Sequence, residues 1–215
     1  MVKARLIAPF AGALLLVALP ISSALACKGS STLLRDDFSE EDPAWTMRDD
    51  KPQFGNGVLK VHSDPGKFND LWYGGMNFAG GDACIDIIMP SGRPSSEVRG
   101  GLVIWTGKMW NIVYIAPDGT AGVDGLQNGN WTTPVPNRKF DAIKTGTDAV
   151  NQLRVVWKAP PRSNSTEAPD PNVTVFINDK QFIRFKAPPN DNRQIGIYAA
   201  ANGGTFQFKN LHITE

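Results

Sequence analysis

The sequence has little of what most hydrolytic and metal-dependent enzymes are built on. Its 215 residues include two His and two Cys, and the five Glu, at positions 40, 41, 97, 167 and 215, are scattered. His62 and His212 stand in separate segments with no Cys, His or Glu at ligand spacing, which excludes a zinc site of the usual kind. There is no Gly-x-Ser-x-Gly elbow, so a serine hydrolase of that type is excluded. Gly74-Gly75 and Gly203-Gly204 lack the Lys and Ser/Thr of a phosphate-cradling loop and read as turns. Surplus charge is also missing: 22 Lys and Arg face 21 Asp and Glu, for a net charge of +1. A dedicated nucleic-acid binder needs a basic face, and the near-zero net charge argues against one. Helical spacing is nearly absent. At 41% hydrophobic residues the chain can nevertheless bury a large core.

What is present begins with an export signal. Residues 1–26 read as a signal peptide: Lys3 and Arg5 start it, an apolar run follows from Leu6 to Ile21, and Ala24-Leu25-Ala26 supplies small residues for cleavage. Its removal takes away two cations and leaves the remainder slightly acidic. No other stretch is apolar enough to cross a bilayer, so the expected location is periplasmic or extracellular. Cys27 then becomes the first mature residue. It is either acylated as a lipid anchor, although Ala24-Leu25-Ala26 is an imperfect lipobox, or paired with Cys84. Two cysteines in an exported chain favour the disulfide, worth about 4 kcal/mol in chain entropy.

The mature chain, residues 27–215, reads as a single all-β domain. Apolar residues alternate with period two in Cys84–Met89, Gln152–Lys158, Val173–Asn178 and Gln194–Ala200. Phe206 and Phe208 give way to Leu211 and Ile213, a change of parity that predicts a bulge near Lys209-Asn210. Asn178-Asp179, Pro117-Asp118-Gly119 and Asn128-Gly129 read as hairpin turns. Ala159–Pro171 reads as an extended surface loop, and Asp141–Val150 as the site of a short helical turn. Gly101–Thr106 and Met109–Ala116 are apolar on both parities, which places them at the centre of a sheet or along a groove. Many short strands at this spacing imply an antiparallel two-sheet sandwich.

A series of motifs occurs in order. They are Leu34-Arg35-Asp36-Asp37-Phe38, Gly101-Leu102-Val103-Ile104-Trp105, Tyr114-Ile115-Ala116-Pro117-Asp118-Gly119, Asn128-Gly129-Asn130-Trp131, Phe176-Ile177-Asn178-Asp179 and Phe206-Gln207-Phe208-Lys209-Asn210-Leu211. Together they resemble the concanavalin A-like lectin/glucanase superfamily, and more narrowly its secreted branch related to the 3-keto-disaccharide hydrolase domain. The resemblance spans Leu33 to Thr214 and implies a β-jelly roll with glycans bound on a concave sheet. Glucanases of this superfamily carry two Glu bracketing an Asp on one strand face, one to attack and one to protonate. The nearest match here, Cys84-Ile85-Asp86-Ile87-Ile88, has no flanking carboxylates, so no catalytic residue is assigned.

Aromatics give the positive signal. Sugar rings present apolar faces to flat side chains while amides and carboxylates bond their hydroxyls. Trp72, Trp110, Tyr114 and Trp131 are the candidate platform, with Asn111, Gln127 and Asn128 as hydroxyl partners. Trp157 alternates with Leu153 and Val155 and belongs to the core, as does Trp45 or else a lid; Trp105 divides evenly between core and groove. Arg99 and Arg154 either clamp a polar group or cover a sheet face. No cofactor is expected, with calcium left open by Asp36-Asp37, Asp49-Asp50 and Asp118. The expected partner is a glycan or small saccharide. The rivals are a keto-sugar or disaccharide enzyme, with His62, Asp86, Asp118 or Asp124 as base, and a structural or adhesion module of the envelope. Asn130, Asn164 and Asn172 head Asn-x-Ser/Thr sequons.

Overall fold

Alternation of side chains builds the molecule. In the computed structural model, residues 27–47, 52–92, 95–105, 109–159, 172–187, 193–200 and 202–215 are described. Residues 1–26 (read from sequence as a signal peptide), Asp49-Asp50, Gly107-Lys108, most of Ala159–Pro171 and the Asn164 sequon lie outside them. Among the described residues there are fifteen strands and no helix. They are β1 (Thr32–Asp36), β2 (Trp45–Met47), β3 (Gln53–Gly55), β4 (Val58–His62), β5 (Asn69–Tyr73), β6 (Gly81–Ile88), β7 (Arg99–Trp105) and β8 (Met109–Ile115), then β9 (Thr120–Gln127), β10 (Asn130–Lys139), β11 (Val150–Trp157), β12 (Val173–Ile177), β13 (Lys180–Phe185), β14 (Gln194–Ala200) and β15 (Thr205–Thr214).

Two antiparallel sheets form a sandwich. One runs β13-β12-β11-β6-β15-β4-β3, with β1 also on β15; the other runs β10-β9-β8-β7-β14-β5-β2. Between them lies one core, with Leu153, Val155 and Trp157 from the first sheet and Leu102, Val113, Ile115, Ile195 and Ile197 from the second. Each such side chain contributes about 1.5–3 kcal/mol when fully buried. The bulge expected near Asn210 is there: the register of β15 on β6 shifts between Lys209 and His212, and Asn210 has φ 54°. It lets one strand pair with β4 in its first half and β1 in its second. Asn178-Asp179 and Asn128-Gly129 have positive φ, as two-residue hairpins require. Asp141–Val150 corrects the expectation of a helical turn. It consists of turns and bends leading into β11, because Gly146 and Asp148 both take positive φ and break any helical run.

The segment that starts at Cys27 is clipped to the first sheet. Cys27 and Cys84 are disulfide-bonded. Beside them Arg154 donates two hydrogen bonds to Asp82, at 2.8 and 2.7 Å, and the Lys28 amide donates a third at 3.0 Å. The one cluster of three potential metal ligands among the described residues is Cys27, Asp82 and Cys84. Its sulfurs are used by the disulfide and its carboxylate by Arg154. No helix among the described residues is long and apolar enough to cross a membrane.

Candidate functional site on the seven-stranded sheet

The face of the seven-stranded sheet turned away from the core is aromatic. Strand register assembles it row by row. Trp131 lies opposite Leu126, and Leu126 opposite Trp110. The next row runs Asp124, Ile112, Val103, Gly196, Trp72 and Thr46. The third runs Gly122, Tyr114, Gly101, Tyr198 and Asp70. Val103, Ile112, Tyr114 and Tyr198 form a second hydrophobic cluster, with Phe68, Trp72 and Trp110 packed on it.

Ring contacts show that this face is concave. Phe68, just before β5, meets Trp131 of β10 edge-on with centroids 5.8 Å apart. In a flat sheet, five strand spacings of about 4.8 Å would hold these elements about 24 Å apart. Trp72 of β5 likewise reaches Trp110 of β8, three strands away, at 5.0 Å. The indole of Trp72 can lie over β14 because Gly196 is beneath it; a Cβ there would come within 3.0 Å of the ring. Gly122 makes the same room for Tyr114, whose hydroxyl lies 2.5 Å from where a Cβ would stand.

Polar groups are fixed within this aromatic wall. The Trp72 Nε1–H donates to the buried Asp70 carboxylate, which sets the indole's orientation. Arg99 Nη1 donates to Asp124 at 2.5 Å, and its Nε donates to the Ser96 carbonyl at 2.7 Å. The same guanidinium lies 4.5 Å from the centroid of Tyr114. Burial raises the pKa of Asp124 above that of an ordinary aspartate, against the opposing pull of Arg99. Burial also pushes Tyr114 and Tyr198 up to about 12, with the Asp124 charge adding to it. Both phenols are therefore neutral at physiological pH and act as hydroxyls, not as bases. The arrangement offers apolar rings for a flat face and an adjoining donor and acceptor for hydroxyls.

The residues singled out from sequence are distributed unevenly. Trp72, Trp110 and Trp131 share this face, and Trp131 is 51% exposed. Tyr114 shares it too, but at 1% exposure it is floor under the other rings and not a platform. Asn111 is corrected: it is 2% exposed and alternates with Trp110, so it points between the sheets alongside Val113. Gln127 has the parity of Val123 and Gly125, away from the aromatic face, and Asn128 is used by the hairpin turn at φ 51°. Asp124, considered only as a base, is on the face. Asp86 is on the other sheet, accepting from Asn210 at 2.8 Å. Sequence reasoning missed Phe68 and Tyr198. The signal for Tyr198 was available, because Ile195, Ile197 and Ala199 occupy the core parity of its strand.

The acidic turns are self-satisfied. Asp36 accepts from the Phe38 amide and from Trp45 Nε1, both at 2.7 Å. Asp42 accepts from the Ala44 amide at 2.8 Å, and Asp118 from the Thr120 amide at 3.0 Å. These carboxylates close their own turns.

No family model and no curated protein matches the sequence. Solved structures do. A carbohydrate binding module from Bacillus subtilis superposes with a TM-score of 0.61 at 13% identity, covering 80% of this chain and 96% of its own. A Bacillus licheniformis beta-glucanase superposes at 0.55 and 9% identity, covering 87% and 99%. The chain has the concanavalin A-like lectin/glucanase fold. The Emp46p carbohydrate recognition domain is a further neighbour, at 0.52 and 13% identity over 83% of this chain and 94% of that one. At such identities the likeness is one of fold alone.

Proposed function

We propose that the protein is an exported saccharide-binding sandwich that holds its ligand on the concave face of the seven-stranded sheet. The observation that carries this reading is the co-location of Trp72, Trp110, Trp131 and Phe68 with the Arg99–Asp124 pair on one curved face. Rings stack on the aromatics, and adjacent hydroxyls donate to Asp124 and accept from Arg99. The names of the neighbours, a carbohydrate binding module and a carbohydrate recognition domain, support it. The disulfide supports export, since such bonds persist in oxidising compartments. Within the superfamily we favour the secreted branch related to the 3-keto-disaccharide hydrolase domain, on the motifs quoted above. A glycan array followed by titration calorimetry tests the binding. Trp72→Ala and Trp110→Ala should each cost about 2 kcal/mol of affinity, roughly thirtyfold. Unchanged affinity in both variants would remove the aromatic face as the site.

One observation favours a second reading, an enzyme acting on keto-sugars. Asp124 combines burial, a raised pKa and a position among the aromatics, as a general base requires. Turnover of a 3-keto-glucoside that disappears in Asp124→Asn would establish this reading; no turnover by the wild type would leave binding alone.

A further inference from the structure

At one end of the aromatic face, three loops border an open pocket of about 360 Å³ lined by Lys67, Phe68, Glu97, Tyr198 and Asn202 with nearby Gly66 and Ala200. That volume is at the lower end of the roughly 300–1,000 Å³ typical of ligand pockets. We propose that this pocket is a terminal subsite, taking the last ring of a non-anionic oligosaccharide whose preceding rings lie on the aromatic face. The inference rests on the saccharide reading above and adds where on the chain the protein binds.

Three observations carry it. The first is continuity. Phe68 and Tyr198, tilted against each other with centroids 5.7 Å apart, belong both to the pocket wall and to the aromatic face. Phe68 also meets Trp131 edge-on, so its ring stands across the face where the pocket begins. A chain lying on Trp72 and Trp110 meets that ring and ends there.

The second is rigidity. The Gly203 amide donates to the Ser63 carbonyl at 2.8 Å and the Ser63 amide to the Gly204 carbonyl at 3.2 Å, tying two of the loops together. In the third loop, Glu97 and Val98 donate their amides to Ser95, and Arg99 holds the Ser96 carbonyl while gripping Asp124. Arg99 thus joins the pocket wall to the polar pair of the aromatic face. A pocket held this way loses little entropy when a ring enters it.

The third is chemistry. An apolar wall of Phe68 and Tyr198 faces polar edges supplied by Glu97 and Asn202, the mixture a sugar ring matches. Lys67 has Asp64 beside it at 3.5 Å, and Arg99 has Asp124. With these cations already paired, the Glu97 carboxylate repels an anionic sugar and accepts from hydroxyls.

Titration calorimetry of the mature protein with β-1,3-glucan, β-1,4-glucan, mannan and fructan chains, each in a short and a long size fraction, tests the proposal. For the chain type that binds, one protein per chain is expected in both fractions. Glu97→Gln, at an exposed position, and Phe68→Ala should each weaken binding about tenfold, the loss of one hydrogen bond to a charged group or one ring contact. Circular dichroism confirms that both variants fold. Stoichiometry rising in proportion to chain length, or unchanged affinity in both variants, would overturn the terminal subsite and leave the aromatic face standing. If no chain binds in either fraction, the terminal subsite is overturned, and the glycan array decides the saccharide reading separately.

Discussion

Removing the Cys27–Cys84 bond perturbs a single quantity, the freedom of the unfolded chain. The two residues are 57 apart in sequence, and the chain-entropy relation for a loop of that length yields about 4 kcal/mol at 25 °C. Spread over an unfolding entropy of about 2.1 cal/mol/K per residue, this corresponds to a Tm shift of about 10 °C. The native contacts of the N-terminal segment do not replace the bond. Gly29 donates to Thr214 Oγ1 at 3.0 Å and Ser30 to the Glu215 carbonyl at 2.7 Å, but these are lost on unfolding with or without the disulfide. The assay is urea unfolding of the mature oxidised protein against the Cys27→Ser/Cys84→Ser double variant. The midpoint should fall in the variant while saccharide binding survives at low temperature, because the clip lies on the opposite sheet from the aromatic face. A double variant within about 0.5 kcal/mol of wild type would refute the reasoning. A lipid mass on Cys27 in the exported protein would refute its premise.

Three other perturbations have defined outcomes. Saccharide affinity should fall on acidification, with a midpoint above 3.8 because burial raises the Asp124 pKa, and the fall should be smaller in Asp124→Asn and absent only when Glu97→Gln is added. The stability contribution of Asp124 has the opposite sense. Its folded pKa is raised, so it is fully present below the unfolded value and lost as pH rises through the folded one, which unfolding of wild type and Asp124→Asn at several pH values will show. Arg154→Leu leaves Asp82 nearly buried without its bidentate partner and should cost about 3–5 kcal/mol in urea unfolding. Gly196→Ala places a Cβ 2.5 Å from the Leu71 carbonyl and 3.0 Å from the Trp72 ring, and should cost about 1–3 kcal/mol and weaken saccharide binding together.

What could be read from the chain follows from what is local in a strand. Parity is local: Leu153, Val155 and Trp157 take the core side because they alternate with Arg154 and Val156, and the slip between Phe208 and Leu211 registers as a bulge at Asn210. Turn chemistry is local as well, so Asn128-Gly129 and Asn178-Asp179 could be placed from two residues each. Sheet membership is not local. Asp86 alternates convincingly in β6, yet nothing within β6 tells which sheet holds it. Parity also fails where both faces are apolar. In β8, Trp110, Ile112 and Tyr114 compete with Val113 and Ile115 for the core, and Asn111 looked like an amide beside a tryptophan until the sheet assigned it inward. Long-range pairs are set by register across a meander, as Arg99 of β7 meets Asp124 of β9, or by curvature, as Phe68 meets Trp131.

One pattern marks the concave face once the strands are paired. Gly122, Gly101 and Gly196 all fall on the outward parity of their strands, and each lies opposite a Tyr or Trp: Gly122 and Gly101 beside Tyr114, Gly101 also beside Tyr198, Gly196 beside Trp72. Glycine weakens a strand by removing a packing side chain, so its recurrence there needs a compensating cause. The compensation is space. A ring can pack over a strand only where the strand has no side chain of its own, as Trp72 does over Gly196 and Tyr114 over Gly122, whereas a Cβ on Gly101 would meet the backbone of Val113 and Tyr114. Glycine opposite Tyr and Trp on the outward parity therefore marks where rings pack against this sheet, although Gly100 and Gly125 take the inward parity of the same strands, so the pattern emerges only with the pairing. Gly196→Ala, by filling that space without touching the ligand, separates this explanation from one in which the glycines serve only the sheet's curvature: the first requires lost affinity, the second only lost stability.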